Sequence, residues 1–169
     1  MNNYFDNEYP TIYGEGKVSL CHRKGHGLIE ISSIEDDNIV GNILYRIGAE
    51  ALEKVKIHEN AIQSVDNILN HFSNPMYIDL LSIHRKHQGR GFAKDALLLL
   101  DQLAKAENVD FIFAWPYPLG CADSKKLENY KSLLKLLSSC GYTLYDSFEC
   151  LEDMIPIGTI YGKLINENN

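Results

Sequence analysis

The feature that most restricts how this chain can fold is one uninterrupted unit of strand, loop, helix and strand spanning residues 76–115. Met76–Ile83 is a mostly apolar run, long enough to lie inside a sheet. Phe92–Ala106 then places Ala93, Ala96, Leu97, Leu100, Leu103 and Ala104 at three- and four-residue spacing, so it reads as a helix with one buried side. Val109–Trp115 returns as a second apolar strand. On the N-terminal side the spacing predicts strands over Val18–Arg23, Leu28–Ile34 and Ile39–Ile47, separated by turns at Lys24-Gly25-His26-Gly27 and Glu35-Asp36-Asp37-Asn38. Residues 48–58 fit a strand or a helix, and Ala61, Ile62, Val65, Ile68, Leu69 and Phe72 mark an amphipathic helix that stops near Ser73-Asn74-Pro75. A helix over Lys125–Cys140 and a closing strand pair, Tyr142–Cys150 with Ile155–Ile165, complete the order β-β-β-α-β-α-β-α-β-β. That order favours an α/β fold on a mixed sheet over a doubly wound one. The 169 residues suit a single domain at 17–166, preceded by an N-terminal arm at 1–16 without periodicity.

Sixteen Lys and Arg against 23 Asp and Glu give a net charge of −7, which disfavours nucleic acid and anionic membranes as partners unless cations are gathered locally. No run approaches the roughly 18 apolar residues of a membrane span, and Met1–Glu8 has no basic flank, so the expected location is the cytoplasm. Cys21, Cys121, Cys140 and Cys150 lack zinc-type spacing and read as reduced thiols. His84 and His87 sit in a loop with no third ligand, so no metal site is expected.

Cations are gathered in one place. Arg85, Lys86, Arg90 and Lys94 lie between Ile83 and the first following acid, Asp95. Gly89 and Gly91 allow sharp turning and close approach of a ligand, and the helix that opens here aims its free N–H groups at the same spot. These are the components of a phosphate cradle. A plain strand-to-helix turn explains the glycines alone, but not the cations beside them. No GxGxxG and no GxxxxGK[ST] occurs, which sets aside the dinucleotide and P-loop readings.

The spacing Gln88-x-x-Gly91-x-Ala93 matches the (Gln/Arg)-x-x-Gly-x-(Gly/Ala) signature of the GNAT superfamily of N-acetyltransferases, which residues 76–106 resemble most strongly. Gly141-Tyr142 stands where that family has Gly-Phe after its last long helix. The resemblance implies a GNAT-type mixed, mostly antiparallel sheet whose central strands, at 76–83 and 109–115, splay apart into a cleft. It implies acetyl-CoA as cosubstrate, with amides from Gln88, Gly89, Arg90, Gly91, Phe92 and Ala93 on the pyrophosphate and the Leu81, Ser82, Ile83 edge on the pantetheine arm. The partner it implies is an amine-bearing acceptor, and it leaves a homodimer open. Two features depart from the family pattern. The helical segment falls at about 49–72, after the third strand, and Leu137 occupies the position where many members carry a Tyr that protonates the departing thiolate. A looser likeness is the proline-bound Pro116-Tyr117-Pro118-Leu119 loop, a candidate rim of the acceptor pocket.

Direct acetyl transfer needs a base for the amine, stabilisation of the oxyanion and a proton for the thiolate. Asp79, read as sharing a strand face with Leu81 and Ile83, is the first choice for general base, with a structural hydrogen bond as the alternative role. A backbone N–H near Leu81 would serve the oxyanion. Tyr117 or water is the candidate acid and is preferred to Tyr130, which lies farther along its helix and is a candidate CoA contact or a packing residue. Trp115 reads as core or as an edge of the acceptor cleft, and Glu149, Glu152 and Asp153 as a solvated turn or an attraction for a cationic amine. The alternative to an enzyme is an acyl-CoA-binding regulatory module that has lost catalysis.

Overall fold

The computed structural model describes residues 18–22, 28–34, 38–48, 61–117, 123–152, 155–156 and 158–165. The arm at 1–16, the turn at 24–27, the ambiguous stretch at 49–58, Pro118, Leu119 and Asp153 lie outside the described residues. The elements are β1 (Val18–His22), β2 (Leu28–Ser33), β3 (Ile39–Ile47), α1 (Ile62–His71), β4 (Pro75–Ile83), a 3₁₀ turn (Arg85–His87), α2 (Phe92–Ala106), β5 (Phe111–Ala114), α3 (Asp123–Ser139), β6 (Thr143–Ser147), β7 (Leu151–Glu152), β8 (Ile155–Pro156) and β9 (Thr159–Leu164). Seven strands form one mixed sheet in the order β1-β2-β3-β4-β5-β9-β6, in which only β4 and β5 run parallel. No described helix is long and apolar enough to cross a membrane.

The expected pair of long closing strands is shorter than the sequence pattern suggests, and β7 and β8 form a small separate hairpin between them. The β6–β9 pairing carries on one step past Ser147↔Thr159, where Phe148 donates its N–H to Gly158 O at 2.8 Å and the backbones approach so closely that a Cβ on Gly158 would stand 1.8 Å from the Phe148 carbonyl oxygen. Two apolar clusters sandwich the sheet. On one face Ile31, Ile43, Tyr45, Met76, Ile78 and Ile112 pack beneath α2 through Phe92, Leu97 and Leu100. On the other, Tyr77, Phe111, Phe113 and Ile160 meet Val65 and Ile68 of α1.

The parallel strands are pinned at one end only. The Asp110 carboxylate, just before β5, accepts from the Ser73 N–H at 2.7 Å, the Ser73 hydroxyl at 2.8 Å and the Asn74 N–H at 3.1 Å, just before β4. Asn74 Nδ2 adds bonds to the carbonyls of Glu107 and Asn108 at 3.1 and 3.0 Å. Pairing runs from Pro75↔Phe111 to Ile78↔Ala114 and stops there, while β4 stays paired with β3 up to Gly41↔Ile83. From Asp79 onward the β5-facing edge of β4 is therefore released from the ladder, which is the splay expected from the sequence.

Gly41 holds the far end of β4 in place. A Cβ there would lie 2.1 Å from Ser82 O and 3.0 Å from the Ile83 Cα, and the neighbouring Val40 carbonyl accepts the His84 N–H at 2.7 Å. A glycine inside a strand run signals such close approach. Gly41→Ala is expected to destabilise the fold by about 3 kcal/mol through overpacking against backbone that cannot yield; urea unfolding monitored by circular dichroism measures it.

Candidate active site

The loop after β4 is folded by its own backbone. The His87 N–H reaches His84 O at 2.8 Å and the Gln88 N–H reaches Arg85 O at 3.4 Å, which closes the 3₁₀ turn. Gln88 Nε2 donates to Ile83 O at 3.0 Å and ties the loop to the end of β4. Both the Gln88 amide and its side chain thus bond within the loop itself. Gly89 and Gly91 have φ of +75° and +89°, a region that costs any other residue strain. A Cβ at either would meet nothing within 4 Å, so both glycines face open space.

Gly91 is the N-cap of α2 and offers no side chain to the helix end; the first intrahelical bond runs from the Asp95 N–H to Gly91 O at 3.1 Å. The N–H groups of the first turn, at Phe92, Ala93 and Lys94, have no partner within the helix. Phe92 is buried in the core under α2, which fixes the helix start. Arg90 lies with its guanidinium 4.8 Å from the Phe92 ring centre and its Nη1 3.2 Å from His87 Nδ1, so this cation is held at the loop rather than waving in solvent. His87 is buried and meets Phe92 edge-on, while His84, Arg85, Lys86 and Lys94 are exposed. Among the described residues no three His, Cys, Asp or Glu side chains are grouped to hold a metal ion.

At the apex of the splay the register slips: Leu44 faces Leu80 and Tyr45 faces Ile78, which leaves Asp79 as the extra residue of a β-bulge. The bulge reverses the alternation of β4. Met76 and Ile78 face the α2 side before it, and Leu81 and Ile83 face that side after it. Asp79 is not on the face of Leu81 and Ile83, as simple alternation predicts; it pairs with Arg46, whose register partner Tyr77 packs on the α1 side. Arg46 donates to Asp79 Oδ2 through Nε at 3.3 Å and Nη2 at 3.2 Å. Arg46 went unnoticed in the sequence, where the only signal was a cation inside the apolar run of β3.

Beyond β5, Trp115 and Tyr117 pack with Tyr130, Leu134 and Cys150. Tyr130 shares the cluster of Tyr117, so distance along the helix does not separate these two tyrosines as the sequence suggested. The Tyr130 hydroxyl shares a 2.7 Å hydrogen bond with Thr159 Oγ1, and burial pushes its pKa up. Leu137 is buried under α2, in a helix end closed by Gly141 at φ +86° with the Tyr142 N–H on Leu137 O at 3.1 Å. Glu149 is exposed.

No family model matches the chain, and no curated protein matches its sequence. Solved structures do match in shape. A mosquito arylalkylamine N-acetyltransferase-like protein 5b is 9% identical, with 82% of this chain and 74% of that one covered and a TM-score of 0.56. Arylalkylamine N-acetyltransferase 2 from Aedes aegypti is 17% identical over 82% of this chain and 73% of its own, at a TM-score of 0.50. A GNAT-family acetyltransferase from Bacillus anthracis is 17% identical, covering 83% of this chain and 68% of that one, at 0.51. The chain has the GNAT acetyltransferase fold.

Tyr77, beside the Asp79–Arg46 pair, has its pKa raised to about 12, chiefly by burial and then by the Asp79 charge, with Arg46 opposing. Because the native state holds this proton more tightly than the unfolded chain, its contribution is complete below an ordinary tyrosine pKa of 10.0 and is lost as the pH climbs through about 12. The melting temperature is expected to fall over that interval, and less steeply in Tyr77→Phe; Tyr45, Tyr130, Tyr142 and Tyr145, also raised by burial, add to the slope.

Proposed function

We propose that the protein transfers the acetyl group of acetyl-CoA directly to an amine. The observation that carries this reading is the junction of two features: β4 leaves β5 after Ile78 and Ala114, and the freed strand leads straight into a glycine-capped, cation-rich helix start. The residues fit the cosubstrate. The N–H groups from Gly89 to Ala93, with Arg90 fixed over Phe92 and Arg85 and Lys86 at the rim, suit a pyrophosphate. The unpaired edge over Leu81, Ser82 and Ile83 suits the amide groups of a pantetheine arm, although the Ile83 carbonyl is already taken by Gln88.

The α2 side of the sheet holds the CoA loop, and Asp79 with Arg46 faces the α1 side. Donor and acceptor then meet across the gap at the bulge. In the transfer a C–N bond forms and the C–S bond breaks; Asp79 takes the proton of the amine, and the CoA thiolate gains one from Tyr117 or from water, since a thiol of pKa near 8.5 leaves without a strong acid. Tyr130 supports the β5 wall through Thr159. The buried Leu137 favours one second reading, a module that binds acyl-CoA and does not turn it over.

Calorimetry and thiol release test both. Gly91→Val is expected to abolish CoA binding and leave the fold intact, since the added Cβ enters the cradle and strains a φ of +89°; unchanged affinity removes the donor site from this loop. Asp79→Asn is expected to lower turnover by about 10²-fold near neutral pH with acetyl-CoA affinity kept. CoA binding without thiol release across a panel of amines selects the non-catalytic module.

A further inference from the structure

Resting on the acetyl-transfer reading, we infer that the acceptor is an aminocarboxylate, with its amine on Asp79 and its carboxylate on Arg46. The ion pair at the bulge is incomplete on both sides. Arg46 spends Nε and Nη2 on a single oxygen, Asp79 Oδ2, at 3.3 and 3.2 Å. Among the described residues neither the Asp79 Oδ1 nor the Nη1 of Arg46 has a hydrogen-bond partner. The two side chains are 38% and 34% exposed, so the pair is open to a ligand from solvent.

A guanidinium offers two forked edges to an oxyanion, and the edge carrying Nη1 and Nη2 is the one turned away from Asp79. A simple alkylammonium gains little here, because the attraction of Asp79 is offset by a full positive charge a few ångströms away. A ligand with adjacent positive and negative groups reverses that balance and satisfies both open positions at once. The third polar group at the apex, the Tyr77 phenol, is held neutral by burial and adds no charge to the pattern. The pair also stands at the extra residue of the β4 bulge, where pairing with β5 has just ended and an acceptor on the α1 side reaches the cleft. In the reacting arrangement the amine loses its proton to Asp79 Oδ1 while Arg46 keeps the acceptor carboxylate in place, and neither group is consumed.

The test compares matched acceptors with acetyl-CoA as donor: α- and β-amino acids, the carboxamide of each, and the corresponding amine lacking the carboxylate, read by thiol release. The carboxylates are expected to exceed their carboxamides by about 10²-fold in kcat/KM, the usual worth of a charge-assisted hydrogen bond. In Arg46→Met that ratio falls to within a few-fold while acetyl-CoA affinity, measured by calorimetry, is unchanged; Arg46→Lys keeps the charge without the fork and gives an intermediate ratio. Carboxamides or plain amines that match the carboxylates in the unmodified protein overturn the inference and leave acetyl transfer standing, as does thiol release with amines but with no aminocarboxylate. Absence of CoA binding removes the acetyl-transfer reading itself and this inference with it.

Discussion

The parallel pairing of β4 with β5, tied at its base and abandoned after Ile78 and Ala114, is the constraint on which the rest of the molecule depends. Two parallel strands held along their whole length would form a closed sheet with no site. Here Asp110 gathers Ser73 and Asn74 at one end, so the strands start in register. At the other end β4 continues on β3 alone, clamped by Gly41 and Val40, while the β5 extension is drawn into the cluster of Trp115, Tyr117 and Tyr130. Each strand keeps a partner on its outer side, so the gap between them opens without leaving either strand unsupported.

The same outer supports set up the chemistry. Because β4 is fixed through Ile83, the loop that follows starts from a rigid point, and Gln88 closes it back onto that point. Phe92 buries the first turn of α2, and Arg90 lies on its ring, so the positive end of the helix and the nearest cation are arranged before any ligand arrives. Preorganisation of this kind lowers the ordering cost of binding an anion. Behind the helix, Lys163 bonds the Asp101 carboxylate and the Cys140 carbonyl at 2.8 Å, which joins α2, the end of α3 and β9 in one partly buried polar contact. Burial of Asp101 raises its pKa against the opposing pull of Lys163.

Local pattern made most of the fold legible. The period of Ala61–Phe72, Phe92–Ala106 and Lys125–Cys140 announced the helices, and the apolar runs announced β2 to β5, because each signal is written in neighbouring residues. The glycines and cations of the α2 loop were equally local. The Asp79 orientation was not, because alternation assumes one residue per pleat and the bulge adds one; nothing within 76–83 shows that Leu44 faces Leu80 and Tyr45 faces Ile78. Arg46 escaped notice for the same reason: its meaning comes from a partner 33 residues away. The close approach of Gly158 to the Phe148 backbone, beside the end of the β6–β9 pairing, was hidden too, since it lies between residues ten apart.

The sequence by itself determined the order of elements, the amphipathic faces and the glycine-rich, cation-rich make-up of the turn at Gly89–Gly91, because propensity, periodicity and charge density act over a few residues. Only the tertiary structure decided where β4 and β5 part, which face Asp79 turns to, that Tyr130 and Tyr117 share one wall, and that Arg46 stands beside the proposed base. Those outcomes depend on strand register and on backbone contacts between distant segments, and register is a property of two strands together that neither strand encodes alone.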